Sequence, residues 1–211
     1  MELDALVERA VALAEVGPAG GGARAILGIA GAPGAGKSTL AAAVAAGVAA
    51  RGIRTALLPM DGFHLADVEL ARLGRLDRKG AIDTFDGWGY LAVLRRVRES
   101  RHTVYAPNFE RTLEQPIAGA VAIEPGVELV VTEGNYLLMG DEPWSLVPAV
   151  LAETWFVDAP DDVRRARLVA RHVEFGKSPD AAAAWVRDVD EPNARAVIAR
   201  RDAADLVVRA N

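Results

Sequence analysis

Gly31-Ala32-Pro33-Gly34-Ala35-Gly36-Lys37-Ser38-Thr39 fits G-x-x-x-x-G-K-[ST] at every fixed position. Its glycines let the backbone turn tightly and aim N–H groups inward, where the N-terminus of the next helix completes a cage for phosphate oxygens. In such a loop Lys37 reaches the β- and γ-phosphates and the Ser38 hydroxyl ligates Mg²⁺. The flanks agree with this reading. Residues 25–30 form an apolar run without a helical stripe, and residues 40–50 are almost all helix formers. The stretch therefore joins a buried strand to a helix.

Upstream, Leu3, Leu6, Val7, Ala10, Val11 and Ala14 recur at helical spacing, predicting an amphipathic helix over the first sixteen residues. The Gly/Pro cluster at 17–22 ends it. Because that cluster precedes the first strand, it reads as a linker with no phosphate role. Residues 1–24 are thus a helix and linker attached to one domain spanning 1–211.

Downstream, residues 55–58 predict a second strand that delivers Asp61-Gly62-Phe63-His64 to the carboxyl edge of the sheet, where open parallel sheets bind ligands. Asp61 there can receive a proton from an acceptor hydroxyl, or it can belong to an ordinary Asp-Gly turn; the residues alone leave both open. Residues 70–76 read as helix. The polar loop 77–86 follows, where Arg78 and Lys79 either hold an anionic group or form a solvated charge pair. Residues 90–97 carry an apolar stripe and predict a helix against the sheet. Two short β-prone runs within 103–125 predict a hairpin with Tyr105, Phe109 and Arg111 as its exposed chemistry. Residues 127–134 predict a buried strand ending in Glu133, the shape of a Walker-B element that carries a carboxylate to the Mg²⁺ shell. Asn135 and Tyr136 follow it into the same crevice.

Residues 153–158 read as another strand, and Ala159-Pro160-Asp161-Asp162 as a helix start with proline and acids in its first turn. That helix carries Arg164, Arg165, Arg167 and Arg171, followed by His172 and Lys177. The series predicts a lid over 161–178 that clamps nucleotide phosphates. Residues 180–201 read as one long helix and 204–208 as the closing strand, with Arg200 and Arg201 bordering the adenine. The fold expected is a three-layer α/β/α domain with a parallel sheet of five strands or slightly more, a helical lid and a small hairpin insertion.

At 211 residues and 51% apolar, the chain suits one compact domain. A formal charge of −5 argues against a nucleic-acid partner reached through bulk electrostatics. No cysteine is present, which removes disulfides and thiolate metal sites. No apolar run approaches membrane-spanning length, and Met1-Glu2-Leu3-Asp4 lacks a basic signal-peptide region. A cytoplasmic enzyme is expected, with a small hydroxyl substrate, no nucleic acid or membrane partner, and a homodimer as the allowed association.

Taken together, the ordered set resembles the P-loop kinases of the phosphoribulokinase, uridine kinase and bacterial pantothenate kinase group. It is most similar to their nucleoside/nucleotide kinase-like branch. The likeness rests on 31–39, Asp61-Gly62-Phe63-His64, Arg78-Lys79-Gly80 with Thr84-Phe85-Asp86, Tyr105-Ala106-Pro107, Glu133-Gly134-Asn135-Tyr136 and Ala204-Asp205-Leu206-Val207. It implies ATP and Mg²⁺ as cofactors, with Gly31, Ala32, Pro33, Gly34, Ala35, Gly36, Lys37, Ser38 and Thr39 binding the nucleotide beside Arg167, Arg171 and Arg201. Asp61 becomes the catalytic base by that likeness, and Lys37 and Arg171 steady the transferring phosphoryl group. Ser38 and Glu133 organise Mg²⁺, while His64, Arg78, Lys79, Tyr105, Phe109, Arg111, Asn135 and Tyr136 line the acceptor pocket. Where relatives often show aspartate, Glu110 stands one methylene longer. Adenylate kinases share the loop spelling, but their Asp-Gly-Phe stretch lies on the later Walker-B strand, so the order here favours a hydroxyl kinase over a nucleoside monophosphate kinase. A regulatory NTPase without an acceptor and a non-catalytic nucleotide-binding subunit are the other readings. No Asn-Lys-x-Asp guanine-reading motif is present.

Overall fold

The computed structural model describes residues 2–16 and 24–209; the linker read at 17–22 lies outside them. In chain order the elements are α1 (Leu3–Val16), β1 (Ala25–Gly31), α2 (Lys37–Ala49), β2 (Thr55–Pro59), α3 (Asp67–Arg72) and α4 (Gly87–Glu99). They continue with β3 (Val104–Glu110), β4 (Gln115–Ile123), β5 (Leu129–Gly134), β6 (Glu153–Asp158), α5 (Asp161–Glu174), α6 (Pro179–Trp185), α7 (Glu191–Ile198) and β7 (Leu206–Arg209). Five parallel strands form the central sheet in the order β2-β5-β1-β6-β7, and β3 pairs with β4 as a separate antiparallel hairpin.

Period-two alternation in the central strands divides the core between two faces. Leu27, Ile29, Leu129, Val131, Trp155 and Val157 pack with Leu6, Val7, Val44 and Val48 of α1 and α2. Ile26, Ala30, Leu58, Val130 and Phe156 point the other way, onto Tyr90, Leu91, Leu94 and Val97 of α4 and Val197 of α7. On that side one polar pair is buried: Thr132 donates to the Leu58 carbonyl at 2.6 Å, so the Tyr90 hydroxyl must donate to Thr132 Oγ1 at 2.7 Å. The strand register, with Ala30 opposite Gly134 and Pro59 opposite Glu133, brings the ends of β1, β2 and β5 level at one edge. No helix among the described residues is long and apolar enough to cross a membrane.

Arg24 fixes the other end of β1. Its guanidinium donates to the carbonyls of Val127 (2.8 Å), Val97 (2.6 Å), Glu124 (3.0 Å) and Pro125 (3.2 Å), tying β1 to the end of α4 and to the turn before β5. Methionine matches the apolar stem but offers no donor to these carbonyls. Arg24→Met should therefore cost about 2 kcal/mol, seen as a drop of roughly 4–8 °C in Tm. An unchanged melting curve would mean that the four carbonyls are satisfied without it.

Two helix boundaries differ from the sequence reading. The helix expected at 70–76 runs from Asp67 to Arg72, because Asp67 and Glu69 complement the positive end of a helix that starts earlier. The long helix expected at 180–201 is divided into α6, a π-turn at Val186–Asp190, and α7. Pro192 lies in the first turn of α7 and has no N–H to give to the preceding turn, and the wider π register absorbs that missing bond.

Candidate active site

The glycine-rich loop leaves β1 and enters α2 with Gly36 as the cap residue, in a left-handed conformation. Gly34 also has positive φ, and a side-chain carbon there would lie 2.6 Å from the Arg164 carbonyl oxygen. α5 thus lies directly across the loop. Helical spacing turns Arg164, Arg167 and Arg171 toward it, but they do different things. Arg164 is buried and donates to the Pro33 carbonyl, Asp161 and Glu191, while Arg165 pairs with Glu191. These two arginines hold α5 on the loop and on α7, which corrects the reading of all four as a phosphate clamp. Arg167 stands over Gly36, with its Nη1 3.5 Å from where a side-chain carbon would sit, and Arg171 faces Lys37 and Asp61.

On one side of the loop opens a cavity of about 440 Å³, lined by Pro33, Lys37, Asp61, His64, Asn135 and Arg171 among others. Asp61 reaches it from a single 3₁₀ turn (Met60–Phe63) that continues β2. Gly62 is needed there because the hairpin presses on the turn: a side-chain carbon would come within 2.3 Å of the Pro107 carbonyl oxygen. The hairpin in turn supplies Arg111, whose Nη2 donates to Asp61 Oδ2 at 2.7 Å. His64 lies between Phe85 and Phe109, at centroid distances of 4.0 and 4.8 Å. Its Nδ1 is 2.8 Å from the Asp61 carbonyl, which can only accept, so Nδ1 carries the proton and Nε2 remains an acceptor.

The charges are interlocked. Burial lowers the Lys37 ammonium below its usual range, against the opposing pull of Glu133 and Asp61. Burial raises the Glu133 carboxyl, while Lys37 and a hydrogen bond from Ser38 hold it back. For Asp61 burial acts upward too, yet His64, Arg111, Lys37 and Arg171 outweigh it and keep the carboxyl below its ordinary value. Burial lowers the His64 imidazole, against the opposing pull of the Asp61 carboxylate. The arrangement offers an ionised carboxylate, a positive cradle for phosphate and an aromatic wall in one space.

A second cavity, of about 500 Å³ and mostly apolar, opens on the far side of the same loop. Gly36, Thr39, Leu40 and Ala43 form one wall, Leu3 and Leu6 of α1 another, and Val208 and Arg209 a third. Sequence reading missed this cavity because its walls come from both chain termini.

Several expected site residues lie elsewhere. Tyr105 is 62% exposed, on the outer face of β3: strand alternation sends it opposite to Val104 and Ala106. A register shift between Ala106 and Asn108 then turns Phe109 inward, so Phe109 is buried and lines the first cavity rather than being exposed. Arg78 pairs with Asp83 at 2.7 Å and does not line the cavity. Lys79 does line it, bonded to Asp67 at 2.7 Å and to the Glu114 carbonyl. Tyr136 is a core residue whose hydroxyl donates to the Gly80 carbonyl at 2.6 Å. Arg201 is engaged by Asp158 and Asp202 and lines neither cavity, whereas Arg209 lines the second. Glu110 points out of the hairpin and accepts from Thr112. Asp67, Glu114, Trp185 and Asp190 line the first cavity without having been singled out, and only the proline after Asp190 marked that region as unlike a regular helix.

Comparison with known proteins agrees with the fold. A family described as methylmalonyl Co-A mutase-associated GTPase MeaB matches residues 5–64, which run from α1 through the phosphate loop to His64 and stop before β5 and α5. An ATP-dependent kinase-like protein of Aspergillus versicolor is 42% identical over 133 residues, covering 59% of this chain and 77% of its own. A protein of Schizosaccharomyces pombe, provisionally named a uridine kinase, is 32% identical over 160 residues, covering 72% of this chain and 68% of its own. A crystal structure from Silicibacter sp. TM1040, provisionally assigned as a fructose transport system kinase, superposes with a TM-score of 0.89 at 36% identity over 99% of both chains.

Proposed function

The chain belongs to the P-loop kinases, among ATP-dependent kinase-like and uridine kinase-like relatives, and on that premise we propose that it moves the γ-phosphoryl group of Mg-ATP to an alcohol oxygen of a small metabolite in the cytoplasm. The observation that carries the proposal is the partition made by the phosphate loop. An apolar slot suited to a nucleoside base opens on its Thr39 side, and a polar cavity containing Asp61 opens on its Lys37 side. A triphosphate lying along the loop would end beside Asp61.

Mg²⁺ fits the pair Ser38 and Glu133, a hydroxyl and a buried carboxylate already within hydrogen-bonding reach of each other. Both are hard oxygen donors, and they are few enough to leave positions for phosphates and water. When bound, the ion neutralises charge on the phosphates. The chain's own groups do the rest. Lys37, Arg167 and Arg171 orient and shield the phosphates, and Asp61, held by Arg111, accepts the acceptor's proton as the oxygen–phosphorus bond forms and ADP departs. α5, docked on the loop, limits the entry of water.

Incubating the protein with Mg-ATP or Mg-GTP, with and without a panel of hydroxylated metabolites, tests this directly. Release of ADP from ATP, or of GDP from GTP, should rise at least about tenfold with a productive acceptor, whose new phosphate is located by NMR. Equal turnover with every acceptor and with none would instead favour the regulatory NTPase, and preference for a nucleoside monophosphate would favour that kinase class.

A further inference from the structure

The turn between β3 and β4 begins at Arg111, so it sets where the cation bonded to Asp61 stands, yet little within the turn holds it. It spans residues 111–114, between the paired Glu110 and Gln115. Leu113, at its tip, is 61% exposed. Glu114 closes it with a φ of 52°, and is the one non-glycine with positive φ among the described residues. Glycine takes that left-handed conformation freely and glutamate does not. The turn therefore depends on ties from outside itself.

Lys79 supplies one of them. Its side chain is 15% exposed, and its ammonium donates to Asp67 Oδ1 at 2.7 Å and to the main-chain carbonyl of Glu114. Two of its three N–H donors are thus spent inside the protein, joining the start of α3 to the end of the turn. The same ammonium lies 5.5 Å from the centre of the Phe109 ring, and the Arg111 guanidinium lies 5.2 Å from it, both within cation–π range. Lys79 and Arg111 share that ring, and Arg111 goes on to donate to Asp61 Oδ2 at 2.7 Å. A further tie is uncharged: the Gln115 side-chain oxygen accepts from the Asp67 N–H at 3.1 Å. It keeps the turn beside α3 when the ammonium is removed, so loss of Lys79 shifts the turn without unfolding it.

Resting on the kinase reading above, we propose that Lys79 is a positioning residue, which sets the Arg111–Asp61 pair by holding the hairpin turn on α3, and is not a ligand of the acceptor. Such a tie acts on the placement of the base relative to the reacting hydroxyl, where an error of about 1 Å costs roughly a hundredfold in rate.

The test compares Lys79→Met, Arg111→Met and the double variant of the full-length protein, with Mg-ATP and the productive acceptor. Methionine keeps the apolar stem of either side chain and removes its charge. Lys79→Met should lower kcat by roughly 10–100-fold and leave the acceptor KM within about threefold, the pattern of lost positioning and not of lost binding. The double variant should be slower than Arg111→Met by no more than about twofold, because both changes remove one arrangement. Amide hydrogen exchange over residues 110–116 should quicken in Lys79→Met, a readout that needs no turnover. Melting temperature and ADP affinity report whether each variant is folded. A raised acceptor KM at unchanged kcat would make Lys79 a ligand of the acceptor, and losses that multiply in the double variant would separate it from Arg111. Unmoved exchange in the turn would mean that the other ties hold it. Each of these overturns the inference while leaving the kinase intact. Absence of phosphorylation of every acceptor by the unaltered protein overturns the kinase reading and this inference with it.

Discussion

Asp61→Asn should lower kcat for acceptor phosphorylation by about 10²–10⁴-fold while ADP still binds. The substitution keeps the shape of the side chain and removes its charge and basicity. The turn that presents it is held independently of the carboxylate, by the His64 bond to the Asp61 main-chain carbonyl and by the close contact of Gly62 with the hairpin at Pro107. The phosphate loop lies on a different strand, so nucleotide binding has no reason to fail. What changes is the destination of the acceptor's proton. In the unaltered protein the carboxylate is kept ionised, because the positive groups around it outweigh burial, and Arg111 engages only Oδ2, leaving Oδ1 to meet the hydroxyl. In the variant an amide faces that hydroxyl, and Arg111 loses its counter-ion. Single-turnover measurement at saturating Mg-ATP and acceptor isolates this step from binding. Wild-type phosphorylation by a folded Asp61→Asn protein would remove Asp61 from the reaction and leave the transfer to the groups that hold the phosphates, Lys37, Arg167 and Arg171.

Legibility in the sequence followed how local the determining physics is. β1 is an apolar run throughout and β5 opens on Leu129-Val130-Val131 because helices cover both faces of the sheet, and a fully buried strand has no alternation to hide. α1 shows its apolar stripe for the opposite reason: only one face is covered, as the burial of Leu6, Val7, Ala10 and Ala14 records. The phosphate loop is written in its own spacing. Orientation was harder. Nothing in residues 103–111 announces the register shift that sends Tyr105 out and Phe109 in, since it depends on pairing with β4. Nothing in the composition of α5 tells a structural arginine from a phosphate-facing one, because the difference lies in what each meets across the loop. Asp190 was hidden within what reads as a plain helix. The cavity beside Asp61 is lined from hairpin, loop, α5 and π-turn, four segments whose convergence is a property of the packed chain and not of any one stretch.

Arg164 shows how much that convergence depends on one side chain, and Arg164→Met should destabilise the fold by about 3–5 kcal/mol, the usual cost of breaking a buried ion pair from one side. The guanidinium is 1% exposed and donates to Pro33 O at 3.2 Å, Asp161 Oδ1 at 2.5 Å and Glu191 Oε1 at 3.2 Å. Methionine fills much of the same volume, so the loss is electrostatic more than a cavity. Glu191, itself buried, keeps Arg165 but loses its interior partner, and the phosphate loop loses the donor that pins Pro33 beneath α5. For a domain of this size the change should lower Tm by roughly 6–20 °C. Arg165→Met is the matched control: that side chain is half exposed, so its pair with Glu191 is screened by water and its loss should leave the melting temperature near wild type. Because Pro33 lies within the loop, Arg164→Met should also weaken ADP binding below the transition temperature, an effect the control should not share. Equal melting temperatures for the two variants would mean that α5 is held on the loop by Leu168 and the apolar contacts around it, and that the buried cation serves the nucleotide instead.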